Sequence, residues 1–389
     1  MMETGFIRTV RREVRQIMSR RVVMFAMVFI PLFTTLFLTQ VMRNGLPEHI
    51  PVAIVNLDDT EVTRALVRQI ASSKEVRVVA EPRSDAEAMK LVREGKTYGY
   101  YVIPRNFTRD IMSGHQPQIT YYTNSAYLVP GSLLFRNLKT NSVLASGAVV
   151  KNYLVSSGTM SDTQAQALLQ PVKLQTNPLH NPQTNYGVYL LNSFLPTLLA
   201  LIILTVTVFS ICQETKLHTS PQWLASARGS MTMALLGKLL PYTLVFTAVG
   251  SLMQAYLFGY LHFPLACSGW QMVLTMLLYV MANQAFAVFV AGIVPNLRLA
   301  LSICSLVGML TFSVGGFSFP VEEMYGSIGI FSYILPARYY FLIYVDQALN
   351  GLPLFYSRFY YIALLVFLLL PFTVVGNLRR NMLKPVYIP

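Results

Sequence analysis

Residues 239–297 read LLPYTLVFTAVGSLMQAYLFGYLHFPLACSGWQMVLTMLLYVMANQAFAVFVAGIVPNL and contain no Asp, Glu, Lys or Arg. A helix crosses roughly 30 Å of hydrocarbon with about 20 apolar residues, so this stretch is too long for one crossing. Its middle, residues 260–269, holds Pro264, Gly269 and several polar residues that interrupt a helix. The stretch therefore predicts two membrane-spanning helices joined by a short loop.

Four further stretches lack charged residues: 22–42, 186–213, 299–321 and 359–378. Together with the two helices above they predict a polytopic α-helical membrane protein with six transmembrane helices. The composition agrees, because 54% hydrophobic and 12% charged residues are unlike a soluble protein of this size. The first stretch is too long for a signal-peptide core and lacks a small-residue cleavage site, so we expect residues 22–43 to remain as transmembrane helix 1.

Most of the net charge of +13 flanks the spans. Basic residues precede the first span and occupy the loop between the second and third, which by the positive-inside rule predicts cytoplasmic N and C termini. A basic excess confined to membrane flanks argues for a lipid membrane, and against nucleic acid, as the partner. Residues 44–186 should then lie outside the cytoplasm, and residues 187–389 should hold transmembrane helices 2–6.

Residues 1–21 predict a cytoplasmic interfacial amphipathic helix. Apolar residues such as Ile7, Val14 and Met18 share one helical face, as in a helix that lies among lipid headgroups. The opposite face carries Arg8, Arg11, Arg12 and Arg15. The alternative is a positively charged topology signal with no other role.

Residues 44–186 alternate β-rich runs with polar helical runs, which predicts an extracytoplasmic α/β domain. The expected strands are residues 52–56, 76–80, 98–103 and 118–123, and the expected helices are residues 61–72, 85–94 and 105–113. A long helical segment over residues 130–156 and a second helix over residues 162–169 should follow.

The chain shows no signature of an energy-supplying site. Gly95-Lys96-Thr97 is similar to the end of a phosphate-binding loop, but the first glycine of that pattern would fall at position 90, which is Lys90. Three unpaired cysteines and scattered histidines predict neither disulfides nor a metal site. We therefore expect no cofactor on this chain and no enzymatic activity.

The interiors of the predicted spans lack ionisable groups, which argues against an ion-coupled carrier. Polar residues such as Asn283 and Gln284 either line a pathway or bridge neighbouring helices.

Several motifs carry a family resemblance. They are PVAIVNLDDT at residues 51–60, YGYYVIPRNF at residues 98–107, Asn177-Pro178, and Asn185-Tyr186 just before the second span. In their order and spacing they resemble the permease subunit of ABC type-2 (ABC-2) transporters, in the subgroup with a large extracytoplasmic domain between the first two transmembrane helices. The resemblance covers nearly the whole chain.

The resemblance implies two functional segments. The loop at residues 213–237 should hold a coupling helix that docks on an ATPase through Glu214, Thr215, Lys216, Pro221, Trp223 and Arg228. Here Thr215-Lys216 replaces the second acidic residue and the Gly-Thr pair usual in the family. Residues 317–358 should form an external re-entrant segment whose gate candidates are Gly315, Gly316, Phe317 and Pro320, or else a plain helix terminus.

The resemblance also implies an exporter that moves an amphipathic or hydrophobic substrate, either a drug-like molecule or a lipid. ATP and Mg would bind to separate cytoplasmic ABC ATPase subunits, and a second permease copy or paralogue would complete the pathway. A periplasmic adaptor protein is a further candidate partner, and a bacterial inner membrane is the expected location. The alternative is a membrane-anchored receptor or scaffold whose extracytoplasmic domain binds a partner.

Overall fold

The computed structural model describes residues 5–113, 115–156, 161–169, 179–182 and 184–383. The chain divides into two compact units. One comprises Met1–Gly45 with Pro178–Pro389, and the other comprises Leu46–Asn177. The Asn177-Pro178 motif lies outside the described residues.

Among the described residues, six helices are long and apolar enough to cross a membrane, which confirms the predicted fold class. The long uncharged stretch forms the two expected helices. The first ends at Tyr260 and the second begins at Gly269, on either side of the loop that contains Pro264. In chain order, spans 1 to 6 are Arg21–Val41, Tyr186–Lys216, Met231–Tyr260, Gly269–Ile293, Leu297–Val314 and Leu354–Leu383.

Spans 2, 3 and 4 form the centre of the bundle, where 56–72% of the residues in an apolar 18-residue stretch of each span are buried within the chain. In spans 1, 5 and 6 only 17–28% of the residues in the corresponding stretch are buried, and most of their apolar side chains face outward. An apolar surface of this extent is stable only against lipid or another apolar partner, as expected of a membrane protein.

Span 1 has an irregular first half. Its residues Phe25–Phe29 form a wide π-helical turn, two residues before Pro31. Proline has no N–H to donate to the carbonyl group of Met27, so the regular helical hydrogen bond is absent at this point.

Two short helices lie between spans 5 and 6. They are Gly326–Ser332 and Pro336–Leu349, and their axes are bent by 77°. The region is therefore not a straight crossing helix, and its re-entrant character stays a prediction.

The described part of the unit Leu46–Asn177 contains four strands: β1 (Ile50–Asn56), β2 (Val76–Ala80), β3 (Gly99–Ile103) and β4 (Thr120–Thr123). Each begins within two residues of its predicted start. They form one sheet in the order β2-β1-β3-β4, in which β1, β2 and β3 are parallel and β4 is antiparallel to β3.

The central strand β1 is buried on both faces, as is usual for parallel strands. Ile54 packs with Ile70 and Tyr101 on one side, and Val55 packs with Ala88 on the other. The helices of this unit are Glu61–Ala71, Asp85–Arg93, Phe107–Met112, Leu128–Ser156 and Asp162–Leu169. The prediction of an inserted α/β sheet is thereby confirmed.

Candidate functional site

The amino-terminal helix, Gly5–Ser19, packs against the beginning of span 3 and against a short helix, Ser220–Ser226, which we call the loop helix. Its buried residues Gly5, Thr9, Glu13 and Ile17 recur every four positions and therefore form one line along the helix. This line differs from the predicted apolar face, because Ile7, Val14 and Met18 remain exposed.

Gly237 allows this close packing. A Cβ atom at this position would lie 2.9 Å from the Cβ atom of Thr9 and 3.3 Å from the carbonyl oxygen of Phe6. Glycine is therefore the residue that lets the two helix backbones approach.

Four charged side chains meet where these helices join. Lys238 Nζ lies 2.8 Å from Glu13 Oε1 and 2.9 Å from Glu214 Oε1. The Arg12 guanidinium donates two parallel hydrogen bonds to Glu214, at 2.9 and 2.8 Å, and Nη1 donates a third, at 2.7 Å, to Glu13. We call Arg12, Glu13, Glu214 and Lys238 the charge cluster.

The charge cluster is deeply buried yet electrically balanced. Lys238 and Glu13 are 0% exposed, Glu214 is 3% exposed and Arg12 is 20% exposed. Removing ions from water costs several kcal/mol each, so such a group is stable only when every charge has opposite neighbours. Burial alone would lower the pKa of Arg12, but its contacts with Glu214 and Glu13 outweigh that effect and raise the pKa.

Trp223 and Thr219 complete the surroundings. Lys238 Nζ lies 4.7 Å from the centroid of the Trp223 ring, within the range of a cation–π interaction, and Trp223 is fully buried. The Thr219 hydroxyl donates a 2.5 Å hydrogen bond to Glu214. The charge cluster thus joins four segments: the amino-terminal helix, the end of span 2, the loop helix and the beginning of span 3.

The six coupling candidates predicted from the sequence divide into accessible and buried residues. Lys216, Pro221 and Arg228 are exposed and Thr215 is half-buried, so these residues can contact another protein. Glu214 and Trp223 are buried within the chain. Their positions suit transmission of movement between helices rather than direct docking.

The pathway candidates Asn283 and Gln284 are buried on span 4. Gln284 Oε1 accepts a 2.6 Å hydrogen bond from Thr243 on span 3, and Asn283 donates a 2.8 Å bond to the carbonyl oxygen of Tyr279 within its own helix. Gln284 thus bridges spans 3 and 4, whereas the Asn283 bond stays within span 4, and a pathway role for either residue stays a prediction.

The gate candidates form the turn after span 5. Gly316 has a φ of +91°, and a Cβ atom there would lie 3.0 Å from Arg338 Nη1. The carbonyl oxygen of Phe317 accepts a 2.6 Å hydrogen bond from Tyr189 on span 2. Gly315 ends span 5 and Pro320 precedes a single turn, Val321–Glu323. The turn is held to span 2, and its role as a gate stays a prediction.

Gly95-Lys96-Thr97 joins the end of the helix Asp85–Arg93 to the start of β3. A phosphate-binding loop instead joins a strand to a helix, so that helix N–H groups face the phosphates. Here Lys96 pairs with Glu94 at 2.8 Å, and the geometry supports rejecting this motif.

A family model described as an ABC-2 family transporter protein matches residues 21–376. The chain belongs to this family. Comparison with individual curated proteins gave no match. The ABC-2 protein is therefore a multi-pass membrane protein and the membrane-spanning permease subunit of a transporter.

Two residues of the ABC-2 permease's charge cluster, Glu13 and Lys238, were missed as site residues. A charge-free stretch begins just after Lys238, which made this residue look like a loop position, but the helix of span 3 extends through it. Glu13 was overlooked among arginines, although it is the one acidic residue between positions 5 and 21. The available signal in the sequence was a lone carboxylate, Glu13, in a basic helix, four residues from Thr9 and from Ile17.

The four arginines predicted to share one face of the amino-terminal helix lie in two different environments. Arg8, Arg11 and Arg15 are exposed, whereas Arg12 turns inward to the charge cluster. The interfacial position of the helix itself stays a prediction.

Proposed function

We propose that the chain is the permease of an ATP-driven exporter, powered by a separate cytoplasmic ABC ATPase that binds ATP and Mg. The charge cluster is the observation that carries this proposal. Through the contacts of Trp223 and Thr219, it fastens the loop helix to the end of span 2, the beginning of span 3 and the amino-terminal helix. A force applied to the exposed loop is then delivered to several helices together.

The proposed coupling needs two global states of the permease that nucleotide binding to the ATPase biases differently. The exposed residues Lys216, Pro221 and Arg228 would form the contact surface. Glu214 and Trp223, buried behind them, would keep the loop helix aligned with span 3. Since the charge cluster is balanced, it can move as a rigid body without exposing an unpaired ion.

The substrate would be amphipathic or hydrophobic, either drug-like or a lipid, because the middle portions of the spans carry no ionisable side chain for charged cargo. Export would require a second permease copy or a paralogue. With the termini in the cytoplasm, the unit Leu46–Asn177 would lie outside and would be available to a periplasmic adaptor. We propose the inner membrane of a bacterium as the location.

The experiment that tests this proposal is co-expression of the full chain with cytoplasmic ABC ATPase subunits of its host. Purified alone, the chain should not hydrolyse ATP, and the complex should. Glu214→Gln and Trp223→Ala should reduce the recovered ATPase at unchanged membrane insertion. Glu323→Gln, an exposed carboxylate after span 5, is the matched control. Normal recovery of the ATPase with both Glu214→Gln and Trp223→Ala would show that the coupling site is assigned wrongly.

A further inference from the structure

The helix Pro336–Leu349 is attached firmly to three of the spans. Three hydrogen bonds of 2.6–2.8 Å form this attachment: from Gln254 on span 3 to Tyr340, from Gln271 on span 4 to Gln347, and from Tyr361 on span 6 to Gln347. Both acceptor side chains are buried. Since a buried polar group without a partner costs free energy, these bonds hold the helix in one position.

Arg338, on the same helix, has a much looser environment. It precedes Tyr340 by two residues, which is about 200° around a helix, so the two side chains leave the helix on opposite sides. The Arg338 side chain is only 10% exposed, and its Nη2 atom lies 3.8 Å from Glu322 Oε1. Within the described residues its guanidinium donates no hydrogen bond, and the buried Nε atom has no partner.

The ion pair of Arg338 is therefore weaker than those of the charge cluster, whose N–O distances are 2.7–2.9 Å. A buried cation is stabilised only by close opposite charge. The Glu322 side chain is 75% exposed, so water is an alternative partner for its carboxylate. The contact between Arg338 and Glu322 can be released at small cost, whereas the charge cluster cannot.

Arg338 also lies against the turn that follows span 5. A Cβ atom at Gly316 would lie 3.0 Å from Arg338 Nη1 and 3.0 Å from Val321 Cγ2. Val321, beside Gly316, is 7% exposed. The guanidinium thus fills the space that a residue larger than glycine would need, and it does so where the φ of +91° already requires glycine.

An aromatic contact crosses the same boundary between the turn and the helix. Phe317 in the turn meets the ring of Phe341 edge to face, with 5.4 Å between the ring centroids. Apolar contacts are not directional and persist when two segments shift. Among the described residues, the pair of Arg338 and Glu322 is the one ion pair across this boundary.

We propose that Arg338 and Glu322 form a releasable latch at the end of the bundle opposite the charge cluster. While they are paired, the turn stays against the helix and Val321 is buried. When they separate, the turn moves away about Gly316 and the bundle opens at this end. Arg338 is thus a positioning residue that acts through the turn. The proposal rests on the proposed export function, because a latch is needed only where substrate leaves the bundle.

Labelling of a buried cysteine tests the latch. The reporter chain is the full chain with its three native cysteines replaced by serine and with Val321→Cys, exposed in nanodiscs to a water-soluble maleimide. Glu322→Gln should raise the labelling rate about fivefold, as expected from the loss of one partly exposed ion pair. Glu323→Gln, which removes the neighbouring exposed carboxylate, is the control and should change nothing. Equal rates in Glu322→Gln and Glu323→Gln would overturn the proposal.

An exchange of charges tests the pairing itself. Arg338→Glu should label faster than Glu322→Gln, because two carboxylates then face each other. Adding Glu322→Arg restores opposite charges and should bring the rate back towards that of the reporter chain. No recovery in this double variant would contradict the pairing. Glu322 is exposed, so Glu322→Gln gives its answer even where Arg338→Glu fails to fold.

Nucleotide distinguishes a latch from a fixed structural contact. With the ABC ATPase bound, the reporter chain should label at different rates with ADP and with a non-hydrolysable ATP analogue. Glu322→Gln should label at the faster rate with both, and an undiminished difference in this variant would overturn the latch. If the reporter chain ignores nucleotide while Glu322→Gln still labels faster, the ATPase coupling is contradicted and the latch is not.

Discussion

The ammonium group of Lys238 lies 2.8 Å from the carboxylate of Glu13, and both side chains are completely buried although they are 225 residues apart in sequence. This pair holds the amino-terminal helix against span 3. Lys238 also contacts Glu214 at the end of span 2 and the ring of Trp223 on the loop helix. A part of the chain that could have been a mere topology signal is therefore a packed element of the bundle.

The charge cluster should be sensitive to removal of one charge. Lys238→Met leaves two buried carboxylates facing only Arg12, and loss of one partner from a buried ionic group costs about 3–5 kcal/mol. We expect a lowered midpoint of thermal unfolding in detergent and faster proteolysis of residues 5–19. Lys216→Met, which removes an exposed lysine from the same region, is the control and should change neither. An unchanged midpoint for Lys238→Met would mean that the charge cluster does not stabilise the fold.

The closeness of the amino-terminal helix to span 3 should depend on Gly237. In Gly237→Ala the added methyl group would lie 2.9 Å from the Cβ atom of Thr9, and overpacking of this kind costs about 1–3 kcal/mol. The midpoint of thermal unfolding should fall, and Thr9→Gly in the same chain should recover part of the loss. Gly376→Ala has no heavy atom within 4 Å of its new methyl group and should be neutral. Equal effects of the two alanine variants would contradict the packing account.

Trp223 should act through its aromatic ring rather than through its N–H group. The indole Nε1 atom has no hydrogen-bond partner among the described residues, whereas the ring lies against Lys238. Trp223→Phe should therefore lower the unfolding midpoint less than Trp223→Leu, since only the first keeps a cation–π contact. Trp270→Phe, at an exposed tryptophan, is the matched control. A larger loss in Trp223→Phe than in Trp223→Leu would remove the cation–π contact from the account.

The α/β unit should become less stable in acid because of Asp58. Its Oδ2 atom accepts hydrogen bonds from the backbone N–H and hydroxyl group of Thr108, at 3.1 and 2.6 Å, and from the Thr60 hydroxyl group at 3.1 Å. Burial alone would raise the pKa of Asp58, but these bonds outweigh it and lower the pKa below its ordinary value of 3.8. The contribution to stability is therefore complete above that ordinary value and is lost as the pH falls through the lowered pKa.

Hydrogen exchange in the full chain measures this effect. At neutral pH Asp58→Asn should speed exchange over residues 57–63 and 104–110 relative to the wild type. At a pH below the lowered pKa of Asp58 the two proteins should exchange alike. Asp59→Asn is the control, because the Asp59 side chain is 75% exposed. Among the charged groups of the described residues it contacts Arg64 alone, with 3.3 Å between Asp59 Oδ1 and Arg64 Nη1. A difference between Asp58→Asn and wild type that persists undiminished in strong acid would exclude this carboxylate as the cause.

The sequence predicted the helices and strands well, because long uncharged stretches and alternating apolar residues are local signals. It predicted the charge cluster poorly. Glu13, Glu214 and Lys238 are far apart in the chain, and a charged residue beside a span is usually exposed. Only the packing of three helices brings them together and makes their burial tolerable. For the same reason Asn283 and Gln284 could not be assigned from sequence to a pathway or to helix bridging.

The central claim is that a separate ATPase drives the permease through the loop helix and the charge cluster. Hydrogen exchange of the full chain, alone and in complex with the ABC ATPase, tests it most directly when measured with ADP and with a non-hydrolysable ATP analogue. We expect exchange over residues 5–19 and 213–238 to differ between the two nucleotides only when the ATPase is present. Identical exchange in both nucleotide states of the complex, or a difference confined to residues 46–177, would contradict the account.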